Sequence, residues 1–91
     1  MATTISLAGS LTLESISRVE REVAPSLTQD QVILDLSAIN EIDSAAISLL
    51  LHWQRAAMAA GHRLFLRNPP ASLLSLAGLY GVEEFLPLES A

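Results

Sequence analysis

The sequence has no cysteine and no lysine, and its aromatic residues are two Phe, one Trp and one Tyr among 91 positions. The absence of cysteine removes disulfides, thiol nucleophiles and the common zinc sites together, a composition suited to a reducing compartment. The absence of lysine leaves five arginines against ten acidic residues and a formal net charge of −5. A phosphate backbone needs a clustered basic footprint, so nucleic acid is not an expected partner. Adsorption to anionic lipid relies on polybasic segments, so any connection to lipid has to run through another protein. No stretch approaches the roughly 20 apolar residues of a membrane span. Met1–Thr4 has neither the basic start nor the long apolar run of a signal peptide. The expected location is the cytoplasm, without direct insertion into a membrane.

Apolar residues nonetheless make up 51% of the chain. The core is therefore expected to consist of Leu, Ile, Val and Ala around a few larger anchors, Trp53, Phe65 and Phe85. A chain of this length holds one core and reads as a single domain over residues 1–91. Alternation in Thr3–Leu7, closed by Gly9, predicts a strand with one buried face and then a turn. Thr12 is placed to cap a helix carrying Leu13, Ile16, Val19 and Val23 at helical spacing, with Glu14 near the positive end of its dipole and Pro25 as its stop. The nearly continuous apolar run Gln31–Leu36 predicts a central strand covered on both faces.

A second helix is expected from a cap at Asp43 or Ser44 to Ala60, with Gly61 as its terminator. Arg63–Leu66 reads as a third strand. Asn68-Pro69-Pro70 introduces a short helix over Ser72–Ala77, with Gly78 and Gly81 breaking the pattern after it. Val82–Leu88 suits either a turn or a last edge strand. Strands alternating with helices imply parallel pairing and an α/β layered fold.

At about 100° per residue, the second helix divides into two faces. Ala46, Ile47, Leu49, Leu50, Trp53, Ala57, Met58 and Ala60 share a broad side predicted to be buried. Ser44, Ser48, His52 and Arg55 form a narrow stripe opposite, with Leu51 at its edge. That stripe lacks the alternating Glu/Lys pattern of a purely solvating surface, and its small hydroxyls, imidazole, guanidinium and Leu suit contact with another protein. Taken alone, Asp43-Ser44 is also what an ordinary helix start looks like, and a lone surface His52 is more often neither ligand nor catalyst.

Little in the chain supports catalysis. There is no Walker A loop, dinucleotide glycine fingerprint, HExxH or GxSxG. Ser44 and His52 are two helical turns apart, about 12 Å at ~1.5 Å rise per residue, beyond the hydrogen-bond reach that a nucleophile and its base require. No enzyme activity, cofactor or metal is expected.

The strand Val32-Ile33-Leu34-Asp35-Leu36-Ser37, a short link, and Ile42-Asp43-Ser44-Ala45-Ala46-Ile47 together resemble the signature of STAS domains, the family shared by anti-sigma-factor antagonists and sulfate-transporter tails. The resemblance covers nearly the whole chain. It implies a small mixed β-sheet with alternating helices and a partner that meets the helix opened by the Asp-Ser pair. In the antagonists, the serine at the position of Ser44 is phosphorylated by the anti-sigma factor kinase they bind, which makes Ser44 a possible phosphorylation site. Leu49-Leu50-Leu51-His52, Leu76-Ala77-Gly78-Leu79-Tyr80-Gly81-Val82 and Leu86-Pro87 are similar to the STAS subunits of Mla phospholipid-asymmetry transporters. That similarity implies a non-catalytic subunit docked on the cytoplasmic ABC ATPase, held at the inner membrane through its partner. The partner-binding residues implied are Asp43, Ser44, Ser48, Leu51, His52 and Arg55. Two positions depart from the wider family: Ala46 stands where many members have glycine, and Thr12 where an acidic residue is usual.

Overall fold

The computed structural model describes residues 2–89. Three strands, β1 (Ala2–Leu11), β2 (Gln31–Ile42) and β3 (Arg63–Arg67), alternate with three helices, α1 (Ile16–Val23), α2 (Ser44–Ala59) and α3 (Ala71–Tyr80). Short 3-10 turns follow α1 at Ala24–Thr28 and α3 at Glu83–Phe85. The sheet order is β1-β2-β3 and both pairings are parallel, because a strand that returns through a crossover helix comes back in the same direction. The mixed sheet implied by the family resemblance is thus wholly parallel among the described strands, with β2 in the centre as its apolar run predicts.

One face of the sheet carries the core. Register places Leu34 between Ile5 and Leu66, and Val32 beside Leu64, and these residues join Val19, Val23, Leu50, Trp53 and Leu73 from the three helices in one packed cluster. Ile33 and Phe65 pair with each other on the opposite face, outside that cluster. The helical layer lies on one face of β2, and Ile33, only 7% exposed, is buried on the other, so the strand is covered on both faces at its centre as its apolar run predicts. Phe65 is no anchor of this core, and Phe85 stands exposed on the second 3-10 turn. Trp53 alone of the three expected anchors fills the interior, where its indole Nε1 is buried without a hydrogen-bond partner among the described residues.

The stretch between Ser37 and Ile42, which reads as a link in the sequence, continues β2. Ser6 pairs with Asp35 but Ala8 with Ala38, and Gly9 pairs with Ile39 but Ser10 with Glu41. Each shift inserts an extra residue in β2, a β-bulge that bends the strand and reverses which side chains face inward. That parity change explains why the buried series Val32, Leu34, Leu36 is followed by Ile39. β1 likewise runs on past the expected turn, with Gly9 at φ 87° beside the second bulge.

Two boundaries of the helical layer differ from expectation, the start of α1 and the end of α3, while α2 ends at Gly61 as expected. The cap of α1 is Ser15, one turn after Thr12, whose carbonyl accepts from the Ser15 and Ile16 amides at 2.9 Å each. Leu13 consequently lies in the preceding loop and is 71% exposed. At the far end of α2, Gly61 (φ 76°) turns the chain away, with His62 N–H donating to the Ala57 carbonyl at 2.8 Å and Gly61 N–H to Met58 at 3.1 Å. This paired closure favours glycine. Met58 (67% exposed) and Ala60 are on the surface, not in the predicted core, while Ala57 in the same last turn stays buried. Gly78 does not interrupt α3, which runs from Ala71 to Tyr80 and is closed by Gly81 at φ 70°.

The tail does both things the sequence allows. After its 3-10 turn, it lays Leu88 beside Leu66 in a parallel bridge, and Arg67 grips Glu89 in a two-pronged pair at 2.8 and 2.9 Å. The Arg67 hydrogen bonds hold the Glu89 carboxyl below its usual range. Asp35, close by, is also lowered, chiefly by the Ser37 amide. A depressed folded-state pKa contributes stability above the unfolded value and loses it as pH falls through the folded one. Glu89→Gln is therefore expected to lower the urea midpoint slightly near neutrality and to reduce the loss seen on acidification to about pH 3. The pair is part-exposed, which keeps the effect small. Urea titrations of parent and variant at both pH values measure it.

Candidate partner-docking site

The site is built where the bulged end of β2 delivers the chain into α2. Asp43 is extended (φ −134°) and is the cap: its Oδ1 accepts the Ala45 N–H at 2.9 Å. Its Oδ2 accepts the Leu13 N–H at 3.0 Å, so the same carboxylate ties the β1–α1 loop to α2. The choice left open between Asp43 and Ser44 as cap is thus resolved by geometry. Ser44, at the first helical position, is free to use its hydroxyl elsewhere, and its Oγ lies 3.0 Å from the Tyr80 Oη at the end of α3. Sequence reasoning did not single out Tyr80 as a site residue; Leu79-Tyr80-Gly81-Val82 entered only as a family likeness.

Beyond this start, α2 turns Ala46, Ile47, Leu49, Leu50, Trp53 and Ala57 inward. Ser44, Ser48, His52 and Arg55 are exposed, and Leu51 is half-buried. Two hollows flank the exposed stripe. One, of about 550 Å³, has Leu13 and Ile16 facing Ala45, Ser48 and Leu49 beside the first two turns. The other, of about 400 Å³, brings Leu51, Gln54, Arg55 and Met58 of α2 together with Glu84 and Phe85. Ser44, Ser48 and Asp43 therefore belong to the first hollow, Leu51 and Arg55 to the second, and His52 lines neither. The exposed apolar residues Leu13, Met58 and Phe85, all expected in the core, are surface elements of this region.

Ser44 is hydrogen-bonded to a tyrosine and not to a base. No group of three or more His, Asp or Glu side chains able to hold a metal occurs among the described residues. No helix is long and apolar enough to cross a membrane among the described residues.

A three-stranded parallel sheet with one helical layer, and a capped helix offering small hydroxyls beside apolar hollows, define a domain built for protein–protein contact of the STAS type. The family described as "Mlab, STAS domain" matches residues 1–88, and the chain belongs to it. Among solved structures, the anti-sigma factor antagonist SpoIIAA in its unphosphorylated form has a TM-score of 0.73 at 18% identity, covering 98% of this chain and 80% of that one. The Bacillus cell fate determinant SpoIIAA in the phosphorylated form has a TM-score of 0.69 at 18% identity, over 98% and 83% of the two chains. At this identity the likeness is one of fold. No curated protein matches the sequence.

Proposed function

We propose that this chain is a non-catalytic cytoplasmic subunit that docks, through the exposed face of α2, onto the ATPase of a phospholipid-transporting ABC system and stabilises or regulates it. The observation that carries the reading is the division of α2: one face is sealed in the core, while Ser44, Ser48, His52 and Arg55 stand exposed between two hollows. Asp43 serves the interface by fixing the helix start and the Leu13 loop relative to each other. The family match supports the transporter assignment. Small Ser44 and Ser48 permit close approach of a partner backbone, and a well-packed contact of this kind needs few strong side chains. On this reading the chain contacts no lipid and sits at the inner membrane only through its partner.

The test is reconstitution with the ABC ATPase subunit that co-purifies with the tagged chain. A stable complex by size exclusion and altered ATP turnover of that subunit are expected. The pure chain alone is expected to release no phosphate from ATP, since the sequence has no Walker A loop or dinucleotide glycine fingerprint; steady-state release by the chain, unaffected by further purification, contradicts the non-catalytic assignment.

A second reading, that of an anti-sigma factor antagonist switched at Ser44, draws on the fold shared with SpoIIAA in both its unphosphorylated and phosphorylated forms. Ser44 is exposed at a helix N-terminus, where a phosphate is favoured by the dipole. Glu41 and Asp43 beside it oppose the added charge. Incubation with an anti-sigma factor kinase and ATP, followed by intact-mass measurement, separates the readings: a phosphate on Ser44 supports the switch.

A further inference from the structure

Resting on the docking role proposed for α2, we infer that the hollow beside its first two turns receives an amphipathic segment of the partner whose apolar side chains are flanked by lysine or arginine. The apolar half of the argument lies in the walls. Leu13 and Ile16 face Ala45 and Leu49 across an open groove, and Leu13 is held there with 71% of its surface exposed because the Asp43 carboxylate pins its amide. Small side chains at Ala45 and Ser48 leave room for a partner's larger ones, the arrangement of a helix-in-groove contact.

The charged half comes from the rim. An adjoining hollow of about 320 Å³ shares Leu13 and Asp43 with the groove and adds Glu14 and Glu41. The Asp43 carboxylate is taken up by two backbone amides. Glu14 and Glu41 are exposed and make no hydrogen bond or ion pair among the described residues, and no cation lines either hollow. An acidic or phosphorylated segment entering here meets two uncompensated carboxylates, whereas a basic one finds its complement. A second copy of this chain is a poor occupant. It has no lysine and a net charge of −5, and two of its five arginines, Arg18 and Arg67, are already paired with Glu22 and Glu89.

The probe is a pair of labelled Leu/Lys and Leu/Glu amphipathic peptides of about 18 residues, long enough to form a helix, titrated into the full chain at low salt. The Leu/Lys peptide is expected to bind at least about tenfold tighter. Glu14→Gln with Glu41→Gln lowers that affinity severalfold and flattens its salt dependence. Ser48→Phe, which fills the groove without changing charge, lowers it as well, and amide shifts on binding cluster at Leu13, Ile16 and Ser48. Equal binding of the two peptides, or indifference to Ser48→Phe, overturns the inference. Against the co-purifying ATPase the outcomes divide cleanly. Binding lost in Ser44→Arg but unchanged in the double Gln variant overturns the basic segment and leaves α2 docking standing; binding unchanged in both removes the docking role itself and this inference with it.

Discussion

Leu50→Ala is expected to lower the unfolding free energy by about 2–5 kcal/mol, through lost burial and the cavity left behind. Leu50 is 0% exposed in the middle of α2, within the cluster that joins all three helices to the sheet. Against a total stability of about 5–15 kcal/mol for a domain of ordinary size, such a loss shifts the urea midpoint far toward zero. His52→Ala and Arg55→Ala, on the exposed stripe, should each change stability by less than about 0.5 kcal/mol. Met58→Ala is the sharper comparison, because wheel geometry groups Met58 with Leu50 whereas the folded chain leaves it 67% exposed; it should behave as a surface substitution. Denaturant midpoints on these four variants measure the orientation of α2. A parent-like Leu50→Ala together with unfolded His52→Ala or Arg55→Ala means that the helix is inverted and the docking face misplaced.

Ser44→Arg is expected to weaken binding of the ATPase subunit by at least about tenfold while leaving the fold intact. Asp43 keeps the cap, because its carboxylate bonds the backbone of Ala45 and not the side chain of Ser44. The substitution instead removes the hydroxyl contact with Tyr80, puts a long side chain where close approach is needed, and places a positive charge at the positive end of the helix dipole. Ser44→Thr retains a hydroxyl and little bulk, and should bind nearly as the parent does. Affinities by calorimetry, with circular dichroism and melting to confirm folding, decide the matter: unchanged affinity in a folded Ser44→Arg excludes Ser44 from the interface.

Much of the fold was legible because its signals are local. Capping by a short acidic side chain, the helical period of Ala46 through Ala57, the glycine closures at Gly61 and Gly81 and the strand–helix alternation all act within a few residues, and together they predict α2, β3 and a parallel sheet. The composition likewise excludes disulfides and, with five arginines and no lysine, argues against a clustered basic footprint. The stripe Ser44, Ser48, His52 and Arg55 was found for the same reason: a regular helix leaves no freedom in which residues lie opposite its core.

Tertiary structure alone decided the rest, wherever the answer depends on what lies across space. The first extra residue in β2 reversed its inward parity, so Ile39 became core, and no local pattern marks a bulge. The apolar run of β2 indicated cover on both faces, but not that the three helices pack as one layer with Ile33 and Phe65 on the other side. Leu13, Met58 and Phe85 are apolar yet lie on the surface: Leu13 because α1 begins only at Ile16, Phe85 on a 3-10 turn, and Met58 on the outward side of the last turn of α2. The contacts that shape the site join distant parts of the chain, Asp43 to Leu13 and Ser44 to Tyr80. Period and propensity describe a segment's own faces, whereas the neighbour of each face is chosen by how the whole chain closes its core.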